Sequence, residues 1–131
     1  MALDANMQIL VADDFKSMRN LIKGILNQIG FKHVHEANDG KEAWDVLMSN
    51  DISLVISDWN MPNMTGIELL RKVRQSQEFK DLPFLMVTAE GVKDNVIEAL
   101  QSGVSGYIVK PFSPASMRDK IQKIFAKRAQ A

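Results

Sequence analysis

Ile52-Ser53-Leu54-Val55-Ile56-Ser57-Asp58 is the stretch on which the fold of this chain turns. Leu54, Val55 and Ile56 are apolar at consecutive positions, without the alternation of a strand that has one wet face. A strand covered on both faces reads this way, and such strands belong to parallel sheets flanked by helices. Phe84-Leu85-Met86-Val87 has the same character and closes on Thr88. Further out, Met7-Gln8-Ile9-Leu10-Val11-Ala12 closes on Asp13-Asp14, and Tyr107-Ile108-Val109 is followed by Lys110. A fifth run, His33 to Ala37, brings no polar terminus of this kind. In an open parallel sheet, the carboxyl ends of the strands border the crevice where ligands bind. If the runs are parallel strands, three carboxylates, a hydroxyl and an ammonium meet there. That set is suited to holding a divalent cation and a phosphoryl group beside a nucleophilic carboxylate.

Between these runs lie helical patterns. Met18, Leu21, Ile22, Ile25, Leu26 and Ile29 recur at helical spacing and Gly30 follows as a stop. Asp39-Gly40-Lys41-Glu42 has capping-box spacing ahead of Ala43, Val46 and Leu47, and Thr65-Gly66-Ile67-Glu68 repeats the device ahead of Leu70 and Val73. A fourth helix is predicted from about Val92 to Ser102, stopped by Gly103. A fifth begins at Ser113-Pro114, with proline at the first helical position, and carries Met117, Ile121, Ile124 and Phe125 on one stripe. The order is strand then helix, five times. Right-handed crossovers leave few arrangements, and the length excludes a barrel of eight such units. The expectation is an α/β fold, a doubly wound three-layer (βα)5 sandwich.

The composition narrows the function classes. A chain of 131 residues, 46% hydrophobic, supports one core and is short for two domains. Lys plus Arg and Asp plus Glu are both 16, so no global charge draws it to nucleic acid or an anionic membrane. The absence of cysteine excludes disulfides, thiolate metal sites and a thiol nucleophile. No apolar stretch approaches the roughly 18 residues of a membrane span. The first six residues lack the basic and apolar regions of a signal peptide. The expected location is cytoplasmic.

Val11-Ala12-Asp13-Asp14, the segment Ser57-Asp58-Trp59-Asn60-Met61-Pro62-Asn63-Met64-Thr65-Gly66, the pair Thr88-Ala89 and Lys110-Pro111-Phe112 resemble, in order and spacing, the receiver domain of two-component response regulators. Within that family the resemblance is strongest to the stand-alone CheY-like chemotaxis regulators, and it covers essentially the whole chain. It implies a flavodoxin-like fold with sheet order 2-1-3-4-5, and one receiver domain over residues 1–131 with its folded core at about 7–128. It implies that Asp58 accepts a phosphoryl group as an acyl phosphate. Magnesium, with manganese able to substitute, would be held by Asp14, Asp58 and the backbone carbonyl of Asn60, with Asp13 acting mainly through water. Lys110, and the hydroxyl and backbone N–H of Thr88-Ala89, would meet phosphoryl oxygens. The Lys110-Pro111 bond is expected to be cis, as it is in the family.

The resemblance also implies a switch in which Thr88 moves toward the phosphoryl group and Tyr107 turns inward. Asn60 and Glu90, each two positions beyond a site residue, are expected to tune attack by water. The implied partners are a histidine kinase of the chemotaxis type, a motor-switch or other target protein, and a phosphatase. The target would bind the face of the fourth helix, fifth strand and fifth helix, which includes Glu90, Lys93, Tyr107, Arg118, Lys120 and Gln122. No output domain is expected after the fifth helix, so signalling would proceed by protein binding, with the chain a monomer. The basic residues of the fifth helix read as a solvated helix end suited to the dipole rather than a nucleic-acid site. His33 and His35 read as surface groups, Trp59 as a fluorophore beside the acid, and the eight methionines as fillers.

Two other classes fit less well. An aspartyl-phosphate phosphatase of the haloacid dehalogenase type needs a second aspartate two residues after its nucleophile, and Ala12-Asp13-Asp14-Phe15-Lys16 lacks that spacing. A flavin binder needs a phosphate cradle after the first strand, whereas Asp13-Asp14-Phe15-Lys16-Ser17 is acidic and has no glycine.

Overall fold

The computed structural model describes residues 4–89, 91 and 93–130, with side chains through residue 127. Five strands alternate with five helices: β1 (Gln8–Ala12), α1 (Lys16–Ile29), β2 (His33–Ala37), α2 (Gly40–Ser49), β3 (Ile52–Ser57), α3 (Gly66–Gln75), β4 (Phe84–Thr88), α4 (Lys93–Gln101), β5 (Gly106–Val109) and α5 (Pro114–Gln130). All strand pairs are parallel and the sheet order is β2-β1-β3-β4-β5, the order the resemblance implies. The chain reverses its direction of travel across the sheet between β2 and β3. β1 and β3 therefore sit side by side and bring Asp13 next to Asp58.

The sheet divides the core in two. Ile9, Val11, Leu54, Ile56, Leu85 and Val87 pack on α1 and α5 through Ile22, Leu26, Met117 and Ile121. Leu10, Ala12, Val55, Phe84 and Met86 pack on the other side against Ala43 and Leu47 of α2, Leu69 and Leu70 of α3, and Ala99 of α4. This is why the central runs carry apolar residues at every position. One irregularity stands at the start of β3. Gln8 pairs with Ile52 but Ile9 pairs with Leu54, so Ser53 is an extra residue. That bulge puts Ile52 on the α2 side and Leu54 on the α1 side, although they are two residues apart.

The helix ends follow their local chemistry. Thr65 and Glu68 form the reciprocal capping box that their spacing predicts. At α2 the box is only half made. The Asp39 carboxylate accepts from Glu42 N–H at 2.7 Å, but the Glu42 side chain accepts from Asn38 N–H at 3.1 Å, one residue further back. Ser113 and Ser116 cap α5 reciprocally, each hydroxyl accepting from the other's backbone N–H. Arg74, in the last turn of α3, donates to the carbonyls of Lys80, Leu82 and Gly103 and to the Ser105 hydroxyl. It thereby ties the entrances of β4 and β5 to α3, at the end of the sheet away from the strand carboxyl termini.

Candidate functional site

Every strand except β2 delivers its predicted polar residue to the carboxyl edge of the sheet. Ladder-like hydrogen bonds continue one residue past the strands and fix the backbone there. Asp58 N–H donates to Ala12 O at 2.9 Å, Asp13 N–H to Ala37 O at 3.1 Å, and Lys110 N–H to Thr88 O at 2.9 Å. The Lys110-Pro111 bond is cis, as expected. Lys110 Nζ lies 3.0 Å from Asp13 Oδ2 and 3.4 Å from Asp58 Oδ2, a single ammonium between two buried carboxylates. Carboxylate oxygens of Asp13, Asp14 and Asp58 all lie within 4.8 Å of one another, with Asp14 exposed.

The other oxygen of each buried acid is held by backbone. Trp59 N–H donates to Asp58 Oδ1 at 2.7 Å, and Phe15 N–H donates to Asp13 Oδ1 at 2.9 Å. Arg19 from α1 donates to the Asp13 carbonyl and pairs with Glu36, bracing the turn after β1. The pocket carries more negative charge than Lys110 balances. Burial pushes the Asp13 carboxyl above the usual range, with Asp58 adding to the effect, against the lowering pull of the Phe15 N–H and Lys110. An all-oxygen set of three carboxylates in surplus over one ammonium fits a hard divalent cation.

Thr88 is fully buried at the end of β4. Tyr107 is half-buried opposite Met86 in the β4–β5 register and packs on the same core cluster as Met86. Since Met86 and Thr88 are two apart on one strand, Met86, Thr88 and Tyr107 share a face of the sheet. Ala89 is exposed just beyond Thr88, and Asn60 is exposed after Trp59. Asp14, Asn60, Met61, Pro62 and Thr65 line an open cleft of about 350 Å³. Lys93, Arg118 and Gln122 are exposed on the proposed partner face and Lys120 is half-buried, whereas Glu90 lies outside the described residues. His33 is exposed, and His35 bonds Gln8 across the β1–β2 pair at 2.8 Å.

The sequence reading missed the contribution of β2. Asp39, two residues beyond that strand, accepts from Asn63 Nδ2 at 2.7 Å in addition to capping α2. The signal was present in the positions of both residues, but nothing in either segment pairs it with the other. Gly66 also has a role beyond leading α3. A Cβ there would stand 2.0 Å from the Asp58 carbonyl, so the helix approaches the acid's own backbone.

An α/β sheet of this order, with three acids and a lysine at its carboxyl edge, is the arrangement the receiver resemblance implies. The chain belongs to the response regulator receiver domain family, which it matches over residues 9–122. It is 49% identical over 123 residues to the chemotaxis protein CheY-3 of Vibrio cholerae, spanning 94% of this chain and 95% of that one. It is 51% identical over 119 residues to the chemotaxis protein CheY of Pseudomonas aeruginosa, spanning 91% and 96%. Among solved structures, the chemotaxis response regulator CheY4 of Vibrio cholerae matches with a TM-score of 0.84 at 34% identity, over 91% of this chain and 98% of that one. The chain is a CheY-like chemotaxis response regulator, a signalling switch rather than an enzyme. Among the described residues, no helix is long and apolar enough to cross a membrane.

Proposed function

We propose that Asp58 is the residue phosphorylated in this switch. The reading is supported by the position of Asp58 at the end of β3 within the receiver-family match, beside the Lys110 ammonium and the Asp13 carboxylate. In the forward step a carboxylate oxygen of Asp58 bonds to phosphorus as the bond from phosphorus to a kinase imidazole nitrogen breaks. The imidazole leaves and takes up a proton. Trp59 N–H on Oδ1 holds the carboxylate in one orientation while Oδ2 faces the ammonium. Lys110 then meets an oxygen of the phosphoryl group, and the hydroxyl of Thr88 with the N–H of Ala89 meets another. Positioning and charge neutralisation supply most of the catalysis in such transfers.

Asp13, Asp14, Asp58 and the Asn60 carbonyl would hold magnesium, or manganese in its place. When bound, the ion neutralises the surplus carboxylate charge and that of the incoming phosphoryl group. In the dephosphorylation step water attacks phosphorus, the bond from phosphorus to the Asp58 oxygen breaks, and the carboxylate is restored with release of inorganic phosphate. Asn60 and Glu90 tune that attack.

Thr88 and Tyr107 transmit the change, supported by the face of the sheet they share. The receiving surface is α4-β5-α5, where Ile97, Leu100 and Val109 expose apolar area. Kinship with CheY proteins supports a histidine kinase of the chemotaxis type as donor, the flagellar motor switch as target and a phosphatase as terminator, in a cytoplasmic monomer. The deciding experiment is labelling with acetyl phosphate. The label is expected on Asp58 alone, dependent on magnesium and removed by hydroxylamine. Mass spectrometry placing it on Asp13 or a histidine would refute the assignment.

A further inference from the structure

The loop from Trp59 to Thr65, which carries Asn60, is pinned at both ends and again in the middle. Gly66 N–H donates to Trp59 O at 2.8 Å, closing the loop on itself beside Asp58. In the middle, Met64 N–H donates to Pro62 O at 2.7 Å across Asn63, whose φ is +66°. A three-residue turn with a positive central φ is rare and strained. Such a conformation persists where its surroundings impose it.

The surroundings here are the start of α2. Gly40 N–H donates to Met64 O at 3.0 Å, and a Cβ on Gly40 would come within 2.5 Å of that same oxygen. Asp39 Oδ2 accepts from Asn63 Nδ2 at 2.7 Å, while its Oδ1 caps the helix through Glu42 N–H. Hydrogen bonds to its carboxylate, foremost from Glu42 N–H and then from Asn63, hold the Asp39 pKa below the usual range. Asp39 is therefore shared between a helix cap and the turn three residues beyond Asn60.

We propose that Asp39 and Asn63 are positioning residues for the metal site: the α2 cap carboxylate clamps the Asn63 turn and so fixes where Asn60 presents its backbone carbonyl. This rests on the reading that Asn60 is a ligand. The two residues touch neither the ion nor the phosphoryl group. They act through the loop, as outer-shell partners of metal ligands do, and losing such a partner typically lowers affinity about tenfold to a hundredfold.

The test is a polarity swap across the pair read by magnesium titration of Trp59 fluorescence, with urea unfolding in EDTA run in parallel. Asn63→Gly keeps access to positive φ but removes the amide, and magnesium affinity is expected to fall about tenfold. Asn63→Asp is nearly isosteric and tolerates the turn, but sets carboxylate against carboxylate and is expected to be weaker still. Asp39→Asn/Asn63→Asp reverses the polarity of the pair and keeps a good cap, because asparagine and aspartate cap about equally. It is expected to recover at least half of the affinity lost by Asn63→Asp, in logarithmic terms. Affinity that tracks unfolding stability across the set, or a double variant no better than Asn63→Asp, overturns the proposal. So does wild-type affinity in Asn63→Gly. Asp14→Ala, in the same titration, separates the two levels. If it keeps the full response, the metal site itself is misread and the positioning role falls with it. If it abolishes the response while Asn63→Gly changes nothing, only the clamp is wrong.

Discussion

Replacing Asp13 by asparagine should make the metal-free protein more stable, although it removes half of an ion pair. Asp13 Oδ2 is 3.0 Å from Lys110 Nζ, an attraction of about 5.5 kcal/mol at an effective dielectric of ~20. Asp58 lies within 4.8 Å and repels it by at least ~3.5 kcal/mol on the same scale. Asp14 is exposed, and adds roughly 1 kcal/mol of repulsion through water. About 1 kcal/mol of net attraction is left to offset a desolvation cost of several kcal/mol for a buried ion. The asparagine oxygen can still accept from Phe15 N–H, and Lys110 keeps Asp58 at 3.4 Å. We expect Asp13→Asn to gain about 1–2 kcal/mol, an increase of roughly 0.5–1 M in the urea midpoint with unchanged slope.

The pH dependence gives the sign independently. The folded pKa of Asp13 is raised, so wild-type folding loses stability as pH rises from the ordinary carboxylate pKa through the raised value. The advantage of the variant should open across that window and vanish below it, where Asp13 is protonated in both states. Saturating magnesium should then narrow or reverse the difference, since an ion at a hundred times its dissociation constant stabilises the wild type by about 2.7 kcal/mol. The variant offers that ion one carboxylate fewer. Equal or lower stability of Asp13→Asn in EDTA at pH 7 would refute the charge-surplus account of the pocket.

Lys110→Ala should still take label from acetyl phosphate on Asp58 but fail to convert phosphorylation into tighter target binding; phospho-dependent binding at wild-type strength would remove Lys110 from the switch. Gly66→Ala forces a methyl into the Asp58 carbonyl, where 2.0 Å is far inside contact distance. It should cost roughly 1–3 kcal/mol as an overpacked site and blunt the magnesium response. A native urea midpoint and titration would show that the approach of α3 to Asp58 is dispensable.

Much of this architecture can be read from the chain because the physics is local. Leu54-Val55-Ile56 announces a strand buried on both faces, and Asp13, Asp58, Thr88 and Lys110 stand where such strands end. Alternation alone does not order the strands; that order came with the family resemblance. What was illegible is tertiary. Glu42 has the spacing to bond Asp39 N–H yet reaches Asn38, and the Asp39 carboxylate is shared with a turn 24 residues away. Arg74 looks like one more basic residue at a helix end, but its guanidinium serves backbone groups from two other loops. Tyr107 can be placed on a strand from sequence, while its sharing a sheet face with Thr88 depends on a register that only the folded sheet supplies.

The extra residue at Ser53 has a consequence for how this domain can vary. The offset between β1 and β3 is taken up at their entrance, and from Ile9 and Leu54 onward the two strands run in step to Ala12 and Ser57. A mismatch in length between the segments leading into these strands is thus discharged at the far end of the molecule from the acids. Drift in chain length is expected to gather around residues 49–51, ahead of the buried Ile52, where a residue more or less lies outside the strand. Between Ser57 and Gly66 a single added residue would carry Asp58 or Asn60 out of alignment, so tolerance of a length change is expected at the entrance of β3 and not at its exit.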